Sequence, residues 1–114
     1  MMRTSISSLG ILWLAGCGVC GNTVKQEIKS PDGKYVATAF VRNCGATTDY
    51  SAQVDLRKAG RKLSTIGNVY RGNASPDIEI AWLSSTHLVI TSGCMEVRHH
   101  TTNFDGITIQ GFRR

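Results

Sequence analysis

Tyr50-Ser51-Ala52-Gln53-Val54-Asp55-Leu56-Arg57 is the stretch that decides the fold. Tyr50, Ala52, Val54 and Leu56 alternate with Ser51, Gln53, Asp55 and Arg57, and a backbone whose side chains leave on opposite faces at each step turns one set toward a core. The same period recurs on both sides of it. Val24, Gln26 and Ile28 oppose Lys25, Glu27 and Lys29, and Ile78, Ile80 and Trp82 oppose Asp77, Glu79 and Ala81. Further strands are expected at Tyr35 to Arg42, Gly67 to Tyr70, His87 to Thr91, Met95 to Arg98 and Ile107 to Phe112. Gly and Asn punctuate the chain at short intervals, and no helical periodicity runs through it. About eight short strands with tight turns predict an all-β fold, a small antiparallel sandwich, barrel or meander.

The turns carry their own chemistry. In Ser30-Pro31-Asp32-Gly33 the proline presets φ, the aspartate bonds its local backbone and the glycine accepts a positive φ, so the flanking strands should form a hairpin. The stretch SPDGKYVATAF resembles the turn-and-strand signature of TolB-type propeller blades, and IAWLSSTHLVI resembles a second, degenerate copy. A propeller needs at least about four blades, so the resemblance implies local hairpin geometry alone. RNCGATTDYSAQVDL, Arg42 to Leu56, is similar in its Cys44-Gly45-Ala46-Thr47-Thr48 run to a family of small bacterial proteins classed as a domain of unknown function. The likeness spans Ser30 to Ile109. It implies a fold and no activity.

Ahead of the strands, Met1-Met2-Arg3 is followed by Ile6 to Ala15, a mostly apolar run without charge. This is the layout of a secretory signal, and it is too short to span a membrane. Leu14-Ala15-Gly16-Cys17 resembles the lipobox of bacterial lipoproteins, which implies cleavage before Cys17 and lipidation of that residue. Cys17 and Cys20 also form a Cys-x-x-Cys. A zinc ribbon would need a second such pair, whereas Cys44 and Cys94 stand alone, and a redox dithiol would sit between a strand and a helix. An uncleaved buried segment is the remaining alternative. The expected organisation is a signal peptide over 1–16, a lipidated N-terminus and tether over 17–23 and one domain over 24–114. Removing residues 1–16 takes away Arg3, leaving 98 residues with 12 Lys and Arg against 8 Asp and Glu, a net charge of +4. That length suits one domain with one core. The implied location is the cell envelope. Gly18 after the lipidated residue implies the outer membrane, facing the periplasm, in a diderm host.

Cys44 and Cys94 each end a predicted strand beside a glycine, which suggests a disulfide between them in an oxidising compartment. Closing a loop of about 50 residues would add roughly 4 kcal/mol through the denatured state. Inert buried thiols and a catalytic thiol served by His87, His99 or His100 are the alternatives; Cys20 is left to pair with either cysteine or to stay free. His99 and His100, with Cys94, Glu96 and Asp105, invite a metal reading, but adjacent strand residues point to opposite faces. No metal and no other cofactor is therefore expected. Asp49, Asp55, Asp77, Glu79 and Glu96 are expected outward and solvated rather than paired for glycoside hydrolysis. The chain has no Gly-x-Ser-x-Gly, phosphate loop or His-Glu-x-x-His, and no catalytic residue is assigned.

Arg57-Lys58-Ala59-Gly60-Arg61-Lys62 is the densest charge cluster. Read as straddling a hairpin turn, it presents Arg57, Lys58, Arg61 and Lys62 at one tip, either as a solvated turn or as a contact for an anionic envelope surface. Nucleic acid is not an expected partner, because no aromatic residues interleave with the basic ones. The reading is a lipid-anchored, non-enzymatic binding or structural module of the envelope. Its partners are the membrane, through the anchor, and an anionic surface or protein. An inhibitor of an acidic envelope-attacking enzyme and a small envelope hydrolase are the alternatives.

Overall fold

The computed structural model describes residues 20–45 and 50–114, so Cys17, with the Leu14-Ala15-Gly16 before it, and Asp49 lie outside the described residues. Within them, β1 (Gly21–Lys29), β2 (Tyr35–Asn43), β3 (Ser51–Lys58), β4 (Tyr70–Asn73) and β7 (Glu96–His100) form one sheet in that order. A second sheet runs β5 (Ile78–Ser84), β6 (His87–Ser92), β9 (Ile107–Arg113), β8 (Asn103–Phe104). The fold is all-β and its sheets keep open edges, so it is not a closed barrel.

All eight expected strands are present, with three differences. The fourth lies at Tyr70–Asn73 rather than Gly67 to Tyr70, and the ninth, β8, has only two residues, too few to leave a period in the sequence. β1 starts at Gly21, so residues 21–23, assigned to the tether, are strand. The antiparallel expectation fails at one ladder: β6 and β9 pair in parallel, Leu88 with Ile109 and Ile90 with Gly111. A parallel pair needs a crossover. Here the chain leaves β6, passes through β7 in the other sheet and returns to the β6 edge from the same direction.

The β1–β2 hairpin closes as its residues require. Gly33 sits at φ 74° and donates its N–H to the Ser30 carbonyl at 2.8 Å, while Asp32 accepts from Ser30 Oγ and from the Lys34 N–H. Register then stacks Ile28, Ala37 and Leu56 in one row and Gln26, Ala39, Val54 and Tyr70 in the next. These rows face Ile80, Leu88, Ile90, Ile107 and Ile109 of the second sheet across a common core. Gln26 accepts from the Ile80 N–H at 2.7 Å and Trp82 donates its indole N–H to the Ile28 carbonyl at 3.0 Å, stitching the two sheets along one side.

β2 and β3 are buried on both faces, contrary to the alternation that revealed them. Residues 59–69 do not make a hairpin turn; residues 64–67 run back across the outer face. Gly67 donates to Gln53 Oε1 at 2.7 Å, the Thr65 carbonyl accepts from Arg42 at 2.9 Å, and the Asn68 side chain bonds both the N–H and the carbonyl of Leu56. Phe40 on this outer face is fully buried although it belongs to no part of the inter-sheet core.

The disulfide also differs from expectation: Cys44 is joined to Cys20, and Cys94 is a free, fully buried thiol. The ladder explains the choice. Gly21 pairs with Asn43, so Cys20 and Cys44 stand at the next position across the open end of the hairpin. Cys94 follows β6 and packs on β4, where a Cβ on Gly72 would lie 2.7 Å from its sulfur.

Register fixes two poles. Gly21, Asn43, Ser51 and Asn73 lie at one end of the first sheet, and Lys29, Tyr35 and Lys58 at the other. The nine residues of β2 separate these ends by about 26 Å, at about 3.3 Å per step. The described chain enters the fold at Cys20, at the first pole.

Candidate functional site

The predicted basic cluster lies at the second pole, and β3 divides it. Lys58 closes the strand; Gly60, at φ 90°, turns the chain so that the Arg61 N–H donates to the Lys58 carbonyl at 3.1 Å. The Ala59 N–H donates to the Lys34 carbonyl at 2.9 Å, which brings a further lysine alongside. Arg57 is drawn the other way. Its guanidinium lies 3.1 Å from Asp55 and 3.3 Å from Glu27, and it donates to Thr38 Oγ1 at 2.9 Å and to the Arg61 carbonyl at 3.0 Å. Its side chain is only 13% exposed.

Arg57 is therefore not a surface cation, which leaves Lys58, Arg61 and Lys62 of the four residues expected at one tip. The reason is the pleat: Glu27, Thr38 and Asp55 form one row across the outer face, and Arg57 is the neighbour that neutralises it. Asp55, expected outward and solvated, is buried beneath 64–67. Burial pushes its carboxyl above the ordinary range, and the hydrogen bond and charge of Arg57 oppose that rise. Among the described residues no carboxylate lies within ion-pair distance of Lys34, Lys58, Arg61 or Lys62. Beside them opens a cavity of about 330 Å³ lined in part by Lys58, Arg61, Phe104 and Asp105. Asp105 accepts from the Tyr35 hydroxyl at 2.9 Å.

The remaining sequence candidates do not converge. His87 Nε2 faces Gln110 at 2.9 Å, His99 donates to the Asn68 carbonyl and Cys94 sits under Gly72. Asp77 and Glu79 both grip Arg114, which holds Asp77 below the ordinary carboxylate range, and Glu96 pairs with Arg98.

A second concavity, of about 350 Å³, opens between the sheets where β4 and β7 face β6 and β9. Tyr70 and Ser92 share a buried hydroxyl–hydroxyl bond of 2.6 Å, and burial raises the phenol. His100 donates from Nε2 to the Ile109 carbonyl at 2.9 Å, and Gly111 supplies the space for its ring. Arg113 donates to the carbonyls of Cys94 and Met95, and Val97 and Phe112 give the cleft an apolar lip. Ser92 is engaged by Tyr70 and the Cys94 N–H, His100 by Ile109; their partners differ. This is an arrangement of fixed donors and acceptors suited to recognition.

The profile of a family of unknown function (DUF5412) matches residues 12–106. The chain belongs to that family. No curated protein and no solved structure matches it. The DUF5412 match begins inside the apolar run and takes in Lys58, Arg61, Lys62, Tyr70, Ser92 and His100, ending before β9.

The cleft was not visible from the sequence. Tyr70, Ser92, His100 and Arg113 come from four strands: the β4–β7 ladder pairs Tyr70 with His100, and the parallel β6–β9 ladder pairs Ser92 with Arg113. Its one sequence signal is the glycine at 111, between Gln110 and Phe112 in the strand ITIQGFR. The loss of Arg57 from the tip did carry a signal: residue 57 has the same parity as 55, and a strand puts both on one face.

Proposed function

We propose that the protein is a lipid-anchored cell-envelope domain that works by binding, and that its basic pole holds polyanionic envelope material. The observation that carries this is the group Lys58, Arg61 and Lys62, with Lys34 alongside: no carboxylate lies within ion-pair distance of them among the described residues, and Lys58 and Lys34 stand at the end of the fold opposite Cys20. Unpaired cations concentrated on a turn favour multivalent anions and steer their approach. Lipidation of Cys17 supports the placement, because only three peptide steps then separate the anchor from Cys20, a reach of about 10 Å. The basic pole would thus face away from the protein's own membrane, toward the polymers beyond it. A Cys20–Cys44 disulfide suits an exported domain.

The test is binding of the full chain, carried on neutral phosphatidylcholine vesicles, to a sulfated polysaccharide and to inorganic polyphosphate, with neutral dextran as control. Exposed charge contacts are screened over about 8 Å at physiological salt, so binding should weaken steeply as salt rises. Lys58→Gln/Arg61→Gln/Lys62→Gln should remove most of it without moving the melting temperature. Equal binding by parent and triple variant would refute the proposal, as would binding indifferent to salt.

A further inference from the structure

The opposite pole has a different surface. Met95, Val97 and Phe112 are 72%, 51% and 52% exposed and lie toward the end of the fold where Gly21 pairs with Asn43. Tyr50, Ile66 and Val24 are also exposed in this half: Tyr50 precedes Ser51 at the end of β3, Ile66 follows the Thr65 carbonyl that holds Asn22 and Arg42, and Val24 pairs with Phe40. Of the large exposed apolar side chains in the described residues, Leu83 alone belongs to the far half, on the β5–β6 hairpin. The lysines lean the other way: Lys29, Lys34 and Lys58 lie at the far end and Lys62 follows the Arg61 turn bonded to Lys58, with Lys25, beside Val24, the exception. An apolar, arginine-bearing pole at the point of chain entry and a lysine-rich pole opposite is not the even scatter expected of surface hydrophobics.

We propose that the Cys20 pole is a membrane-seating surface, with Met95, Val97 and Phe112 lying at the headgroup–acyl boundary of the bilayer that holds the N-terminus. What identifies the occupant is the chain itself. The uncharged apolar run ends at Leu14-Ala15-Gly16-Cys17, three residues before the described fold begins at this same pole, so a bilayer is the surface these side chains meet. Interfacial contact of this kind combines shallow apolar insertion with cations at headgroup level. Arg113 supplies the cation: its guanidinium is fixed beside Phe112 by the Cys94 and Met95 carbonyls and has no carboxylate partner among the described residues. Tyr50 suits the same depth, with an apolar ring and a polar tip. The proposal rests on the anchored reading of the N-terminus but not on the basic pole.

The experiment places the full chain on phosphatidylcholine vesicles whose acyl chains carry a photoactivatable diazirine, floats the vesicles, irradiates and maps lipid adducts. The expected result is flotation with adducts at Met95, Val97 and Phe112 and none at Leu83. Met95→Gln/Val97→Gln/Phe112→Gln should still float and melt normally while losing those adducts. Flotation with adducts confined to residues before Cys20 would overturn the seating surface and leave the anchor standing. Failure to float would remove the anchor, and the seating surface with it. Cross-links joining two copies through Met95 would assign the face to self-association instead, which also overturns it.

Discussion

Breaking the Cys20–Cys44 bridge should cost the domain a large part of its stability without altering its folded structure. The bridge spans 24 residues. The loss of loop-closure entropy in the denatured chain for a loop of that size corresponds to about 3.4 kcal/mol at 25 °C. In the native state the link joins the ends of a hairpin already held by its ladder, so the strands stay in register when it is absent and the effect falls on the unfolded ensemble. For a domain of this length, where each kcal/mol moves the midpoint by roughly 4–8 °C, the melting temperature should drop by roughly 14–27 °C in Cys20→Ala/Cys44→Ala. The assay is thermal unfolding of parent and variant, with and without reductant, followed by circular dichroism. Reductant should bring the parent to the variant's midpoint and leave the variant unchanged. Cys94 should stay unalkylated until unfolding, because burial both shields the thiol and raises its pKa. A midpoint insensitive to reductant, or a peptide map joining Cys94 to either partner, would refute the reasoning.

Arg57→Gln should destabilise by about 3–5 kcal/mol in chemical denaturation, since it strands the buried Asp55 carboxylate, whereas Lys58→Gln next to it should stay within about 0.5 kcal/mol. Gly72→Ala places a Cβ 2.7 Å from both Cβ and Sγ of Cys94 and should cost about 1–3 kcal/mol, read as a shift in denaturant midpoint. Carboxyl NMR titrations should separate two aspartates on either side of the ordinary carboxylate value: Asp77 below it, returning toward it in Arg114→Gln, and Asp55 above it. The linkage signs are opposite. Asp77 contributes stability above its unfolded pKa that is lost as pH falls through its folded one, while the contribution of Asp55 is greatest below its unfolded pKa and falls as pH rises through its folded one.

Period-two alternation was enough to place eight strands, because a half-buried strand must sort its side chains by face. It misjudged β3 for the same reason: Gln53 and Asp55 are polar yet buried, since residues 64–67 fold back over them, and coverage by a distant loop leaves no local period. The Ser30–Gly33 hairpin was legible because its φ and hydrogen bonds are set by four adjacent residues. Disulfide pairing was not, since it depends on which strand ends meet, and the ladder that brings Cys20 to Cys44 is formed over the whole length of β1 and β2. The hairpin tip expected to carry Lys58, Arg61 and Lys62 is instead the start of a connection that runs back over β3. Arg57 was claimed by carboxylates on two strands, a partnership visible only once Glu27, Thr38 and Asp55 share a row.

On the proposal made above, the domain is polarised, with its Cys20 end on the bilayer and its basic end directed away. Bimane fluorophores placed singly at positions 62 and 97 of the full chain, on vesicles containing a doxyl-labelled lipid quencher, test it directly. The account predicts strong quenching at 97, none at 62, and a response to added polyphosphate at 62 alone. Quenching at 62 as strong as at 97 would contradict it, because the basic pole would then lie on the membrane.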